Sequence, residues 1–213
     1  MKTIYFVRHG ETNANVGDLH GSASDLLTEK GHEQAKFIAE RCTKLPLEAL
    51  IVSPFERTKQ TAHYITERTG LVSEECDLFI ENRFVTKYES RPRLEEGEAK
   101  QALDLITKNW GTPGYHVGDE KNFEELISRT NKALAFLAAR KEEHVAVVTH
   151  GAFLRNMIGV AMCGELFTPE ISNVFYRSLR VMENTALSVF TFDETKQENQ
   201  WSLKIWNDHA HLG

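Results

Sequence analysis

Two apolar runs that each stop at a histidine followed by a glycine constrain this chain more than anything else in it. Residues 2 to 7 form a short, β-branched run that gives way to Arg8, His9 and Gly10. Residues 144 to 149 carry Val145, Ala146, Val147 and Val148 and give way to His150 and Gly151. A short apolar run without polar alternation reads as a strand buried on both faces, the kind found in parallel sheets covered by helices. A third run, residues 49 to 52, stops at Ser53 and Pro54 and leads within a few residues to Arg57. In open α/β sheets ligands collect beyond the carboxyl ends of the strands, where helix N-termini present amides to anions. The three strand ends therefore predict one cleft holding His9, Arg57 and His150.

Helical periodicity fills the intervals. Ala35, Ile38 and Ala39 mark a helix over residues 28 to 42. Ser53 and Pro54 are expected as N-cap and first-turn proline of a helix reaching about Arg68. Residues 71 to 93 show no regular pattern. Helical spacing returns over 94 to 108, over 122 to 141 through Leu126, Ala133, Leu134 and Leu137, and over 152 to 162. Two strand-like runs follow, at 186 to 192 and 201 to 206. This alternation predicts an α/β fold, three-layer α/β/α with a mostly parallel central sheet. At 213 residues, a single domain over 1–213 is expected.

Composition removes several partner classes. A formal net charge of −6 argues against the broad basic field that holds nucleic acid or an acidic membrane, so any anion must be caught locally. The first apolar run is too short for a signal-peptide core and no stretch approaches a membrane span, so a cytoplasmic location is expected. Cys42, Cys76 and Cys163 are odd in number and widely spaced, which fits free thiols. His209 and His211 lack a third ligand nearby, so no metal is expected there, and no cofactor is called for. His20, His32, His63, His116 and His144 stand outside any motif and are expected to serve surface or packing.

The candidate cleft has the chemistry of phosphoryl transfer. A neutral imidazole can attack phosphorus and divide one hard step into two easier ones. Arginine forks match phosphate oxygens and spread the charge of the transferred group. Arg57, in the first turns of a helix, opposes the helix dipole unless an anion compensates it.

The segment Arg8, His9, Gly10, Glu11, Thr12 resembles the first motif of the histidine phosphatase superfamily, also called phosphoglycerate mutase-like. Further pieces occur in family order: Asn15, Gly21, Leu27, Thr28, Gly31, Ser53, Pro54, Arg57, Thr61, Ala62, His150 and Gly151. Residues 184 to 188 look like the family's late asparagine-containing strand. The resemblance implies His9 as nucleophile, with Arg8, Arg57 and His150 gripping the phosphoryl group. Asn15, Gly21 and Gly151 would join Arg8, Arg57 and His150 in holding substrate, though Asn15 and Thr28 also read as turn and cap residues. A glutamate from the middle segment would act as acid. Glu81 has the family spacing, and Glu89 is the alternative.

The chain departs from the family in its middle segment, where Val85, Lys87, Tyr88 and Glu89 replace the usual glycine and aromatic pattern. Ser24 stands where an acidic residue is usual, with Asp25 beside it, and Leu26 replaces a common proline. Arg83, Lys87, Arg91 and Arg93 make a basic segment that is either a solvated face or a grip for a second anionic group. The implied activity is a metal-independent histidine phosphatase acting on a small phosphorylated substrate. The rival is a mutase-type isomerase, whose first motif typically runs on to a serine and tryptophan where this chain has Thr12 and Ala14. A non-catalytic phospho-ligand binding module is a second rival, and a homodimer is compatible with the sequence.

Overall fold

The computed structural model of the chain describes residues 1–93, 97–179 and 182–213. Six strands form one sheet: β1 (Lys2–Arg8), β2 (Ala49–Val52), β3 (Ser73–Glu75), β4 (His144–Thr149), β5 (Leu187–Phe192) and β6 (Trp201–Asp208), in the order β3-β2-β4-β1-β5-β6. β1, β2, β3 and β4 are mutually parallel, β5 runs antiparallel to β1, and β6 antiparallel to β5. Only β5 thus points the other way, so the sheet is mostly parallel, as predicted.

Among the described residues there are seven α-helices: α1 (Asn13–Val16), α2 (Glu29–Cys42), α3 (Glu56–Thr69), α4 (Glu98–Lys108), α5 (Phe123–Ala139), α6 (Gly151–Cys163) and α7 (Pro169–Ser178). Side chains alternate across a strand, and the core divides accordingly. Tyr5, Val7, Leu50, Val52, Ala146 and Val148 face Ile38 and Ala39 of α2 and Ala62 and Ile65 of α3. Ile4, Phe6, Ile51, Val145 and Val147 face Leu134 and Leu137 of α5 and Phe153 and Met157 of α6. These are the two outer layers of the α/β/α sandwich. β4 lies between β1 and β2 with only its first residue less than fully buried, which is why its sequence is apolar without alternation.

Several expected elements are corrected. Ser53 is not an N-cap: its amide donates to the Val148 carbonyl, extending the sheet, and its hydroxyl meets His150, so α3 starts only at Glu56 with Phe55 as an uncapped N-cap. Of the helix expected over 94 to 108, residues 98 to 108 are helical and 94 to 96 lie outside the described residues. The segment without pattern contains β3, whose three residues are all exposed, and one-turn 3-10 helices at Asp77–Phe79 and Thr86–Tyr88. Glu74 and Glu75 put charge on this edge strand, a common way of blunting an edge. Two helices were not foreseen: α1, which Thr12 and Asn15 start with a reciprocal capping box, and α7, which has Thr168 as N-cap and a proline in its first turn. No helix among the described residues is long and apolar enough to cross a membrane.

Candidate active site

β1 delivers His9 to the end of the sheet, and hydrogen bonds from four directions fix the backbone there. The His9 amide donates to Thr149 at 3.0 Å, continuing the β1–β4 ladder. The Gly10 amide donates to the Thr61 hydroxyl of α3 at 3.0 Å, and the Glu11 amide to Gln34 of α2 at 2.9 Å. From the far end of the chain, Asn184 Nδ2 donates to the His9 carbonyl at 3.0 Å and to Asn15 Oδ1 at 3.1 Å. The turn after His9 lies so close to the start of α2 that a Cβ on Gly31 would sit 2.2 Å from the Glu11 carbonyl oxygen, and one on Gly10 2.5 Å from that of Gly31. Thr28 caps α2 through the Gly31 amide and donates to the Glu11 carboxylate, so it serves the loop rather than the cleft.

The imidazole of His9 is equally constrained. Nδ1 lies 2.7 Å from the Gly10 carbonyl, which can only accept, so the proton sits on Nδ1. Arg57 Nε donates to His9 Nε2 at 3.1 Å, so Nε2 carries a lone pair. Both contacts select the same neutral tautomer. Burial, then the Arg57 and Arg8 guanidinium groups, hold the His9 pKa well below its usual value. A neutral ring with its outward nitrogen unprotonated is the form a nucleophile needs.

His150, at the end of β4, is fully buried, with its ring centroid 5.3 Å from that of His9. Ser53 meets its Nε2 at 2.8 Å, Phe55 packs edge-on against it, and its Nδ1 has no partner among the described residues. Burial, Arg57, His9, Arg129 and Arg8 push the His150 pKa well below its usual value, so without a bound anion the ring is neutral. Arg57 is 4% exposed, donates to the Ser22 carbonyl at 2.6 Å, stacks on Phe55 and lies 4.0 Å from Asp25. Asp25, not Ser24, takes up the acidic role at this point of the loop. Arg8 is held by the Met182 carbonyl, its Nε lacks a partner, and burial lowers its pKa to about 10.

These groups open onto a cleft of about 370 Å³ whose lining includes Arg8, His9, Asn15, Gly21, Arg57, Glu81 and Gly151. Of the candidate catalytic and substrate-binding residues only His150 does not line it, being fully buried. Glu81 is held by three amides: Asn82 at 2.9 Å and Phe153 at 2.8 Å on Oε1, and Ala152 at 3.2 Å on Oε2. It therefore fills the amide-rich start of α6, which the strand-end argument left free for a ligand. Glu89 also lines the cleft, paired with Arg83 at 3.1 Å.

The sequence profile of the histidine phosphatase superfamily, branch 1, matches residues 4–209. The chain belongs to this superfamily. It is 28% identical to "Probable phosphoglycerate mutase GpmB" of Enterobacter sp. (strain 638) over 228 aligned positions, covering 100% of this chain and 95% of the relative. Among solved structures, the alpha-ribazole phosphatase of Shigella flexneri superposes with a TM-score of 0.79 at 20% identity, covering 97% of this chain and 96% of that one. A mycobacterial glucosyl-3-phosphoglycerate phosphatase superposes at 0.76 with 21% identity, covering 98% and 100%. These structural likenesses show the shared fold.

In this member of the superfamily the basic segment does not act as one unit. Arg83 and Arg93 line the cleft, Lys87 pairs with Glu98 at 2.9 Å, and Lys87 and Arg91 line a separate surface hollow. Arg155 and Tyr176 complete the mouth and were not foreseen. Arg155 follows Gly151 by four residues on α6, so a helical-face reading from the His150–Gly151 pair would have found it. Its guanidinium lies over the Tyr176 ring at 4.1 Å and has no carboxylate partner among the described residues. Of the histidines set aside, His20 is buried and stacked on Phe84 at 3.9 Å, and burial followed by Arg93 lowers its pKa to about 4. His211 meets Arg41 and Thr185, while His209 contacts the Asn207 carbonyl.

Proposed function

We propose that this chain is a phosphatase that passes a phosphoryl group from a small phosphomonoester to Nε2 of His9 and then to water. The observation that carries this reading is the pair of contacts that fixes the His9 tautomer, Nδ1–H on Gly10 and Nε2 facing Arg57. On substrate binding, Arg57 transfers its donor from Nε2 to a phosphoryl oxygen, and Arg8, free at Nε, takes another. The Nε2 lone pair attacks phosphorus as the ester P–O bond breaks. The positive charge on the phosphorylated ring is stabilised by the Gly10 carbonyl at Nδ1. His150, with its ring centroid 5.3 Å from that of His9, is close enough for the negative charge of the transferred group to favour its protonated imidazole.

An alcohol leaves phosphorus poorly unless its oxygen is protonated. Glu81 is the proposed donor: two amides occupy Oε1, one occupies Oε2, and Oε2 keeps a lone-pair position for the proton. Glu89 is committed to Arg83, whereas the partners of Glu81 are neutral. After the alcohol departs, the Glu81 carboxylate takes a proton from water as its oxygen bonds to phosphorus and the P–N bond breaks. His9 returns to its starting form, and the sum is ester plus water to alcohol plus phosphate.

Arg8, Arg57 and His150 provide the positive charge that a metal supplies in other phosphatases, so turnover is proposed to survive EDTA and to be inhibited by vanadate. Acid-labile phosphate trapped by denaturing the enzyme during turnover is expected on His9 by mass spectrometry. Phosphate on another residue rejects the mechanism. The name of the relatives favours a second reading, a phosphoglycerate mutase, in which the phosphoryl group returns to substrate. Interconversion of phosphoglycerates without release of free phosphate would establish that reading instead.

A further inference from the structure

Beside the cleft lies a second, smaller groove of about 220 Å³. The two share Asn82, Arg83, Phe84, Arg93 and Tyr176, so one rim separates them. The groove is lined by Leu103 and Ile106 of α4, Trp110 just beyond it, and Leu126 of α5. The Trp110 indole N–H is used by Ser172 at 2.9 Å and its ring meets Phe123 edge-on at 5.8 Å, which together fix the ring.

Polar and charged side chains also line the groove, among them Arg83, Arg93, Lys121, Glu120 and Asn156, and two of these are deeply buried. Glu120 and Asn156 are each 5% exposed, yet Glu120 Oε2 and Asn156 Nδ2 have no hydrogen-bond partner among the described residues. Glu120 Oε1 accepts from the Val117 amide at 2.6 Å, so the side chain is anchored by one oxygen and offers the other. A buried donor or acceptor left unpaired costs on the order of 1–3 kcal/mol, and one of each on a single groove is the pattern of a ligand site.

We infer that this groove seats the non-phosphate part of the substrate, a flat apolar ring that bears one hydrogen-bond donor for Glu120 and one acceptor for Asn156. Size supports a ring, since a dry apolar cavity of about 150 Å³ already accommodates benzene. The shared rim places such a ring next to the phosphoryl site, so the substrate class is the phosphomonoester of an alcohol carrying an aromatic or heteroaromatic group. This inference rests on the phosphatase reading for turnover, while binding of the ring is independent of it.

The test therefore has two arms on the full chain. In the first, kcat/KM is compared for 2-phenylethyl phosphate and ethyl phosphate, whose leaving alcohols are chemically alike. The ring should favour the former by about tenfold or more. Ile106→Trp, which fills the groove, should bring the ratio to within about threefold of one, with circular dichroism verifying the fold. In the second arm, 7-azaindole, which has one N–H donor and one acceptor nitrogen, should shift the Trp110 indole resonance. Asn156→Leu should weaken that binding by about tenfold. A wild-type ratio near one, or a ratio that Ile106→Trp leaves in place, overturns the substrate assignment. An unshifted Trp110 resonance overturns the ring site. If neither ester is hydrolysed while azaindole still binds at Trp110, the phosphatase reading falls and the ring site stands.

Discussion

The deep half of the cleft and its mouth are built on opposite principles. In the deep half, His9, His150 and Arg57 are all at least 96% buried, and each is oriented by carbonyls, a hydroxyl or another ring. At the mouth, Arg83 and Arg93 are exposed and are held mainly by carboxylates, Glu89 and Asp18. Exposed ion pairs are worth about 0–1 kcal/mol and are easily exchanged, whereas a buried polar group stripped of its partner leaves an uncompensated cost. The proposed chemistry is thus locked in place, and the proposed recognition surface can change with little penalty to the fold.

The contrast can be broken most directly by His9→Ala, which should lower turnover by roughly 10⁴-fold or more while the enzyme stays folded. Steady-state phosphate release alongside a melting curve is the measurement, and substantial residual turnover would remove His9 from the chemistry. Glu81 lies where the two halves meet. Glu81→Gln should lower turnover on alkyl phosphates by about a hundredfold to ten thousandfold. Its phosphorylation step on p-nitrophenyl phosphate, measured in a single turnover, should suffer less because that leaving group needs little protonation. If Glu81→Gln behaves as wild type on both and Glu89→Gln does not, the acid is Glu89.

Acid should weaken the deep half first. The pKa values of His9 and His150 in the folded protein lie well below the usual histidine value, while in the unfolded chain they return to about 6.5. Below about pH 6.5 the unfolded chain therefore binds more protons than the folded one. Stability is full above that pH and falls as acid is added, by up to about 1.4 kcal/mol per pH unit for each of these buried rings. Thermal melts from pH 7.5 to 5.5 should show a falling Tm, with a shallower slope in His150→Gln. A flat profile would mean that the rings are not held neutral. The smallest effect is expected at the mouth, where Arg83→Ala should change stability by no more than about 0.5 kcal/mol. A loss of several kcal/mol in chemical denaturation would show the mouth to be as integral as the interior.

The same contrast explains what could be read from the sequence. Residues 2 to 7, 49 to 52 and 144 to 149 announce themselves because a strand buried on both faces has to be apolar throughout, and the motif residues follow directly from their ends. Ser53 reads as an N-cap because a serine before proline is the usual start of a helix, and its use by His150, 97 residues further on, leaves no local trace. β3 is three exposed residues long and carries no periodicity. Arg155, Phe84 and Tyr176 reach the mouth from separate elements, so no spacing in the chain links them, although the placement of Arg155 one turn beyond Gly151 was available. Glu81 was found by spacing, but its role as a cap for α6 depends on a fold that brings residues 81 and 152 together.

The position of β1 in the sheet has a consequence for how the protein is made. Its neighbours are β4 and β5, so the strand that carries His9 meets neither partner until residues 144 to 149 and then 187 to 192 have been added. About 135 residues separate Arg8 from His144. At ribosomal speeds of about 5–20 residues per second, the first strand emerges and then waits roughly 7–27 seconds for its first parallel neighbour. The clamp from Asn184 onto His9 comes later still. During that interval an apolar strand with two open edges is available to wrong partners, which makes the chain dependent on slow, long-range pairing and a natural client for chaperones that shield nascent chains.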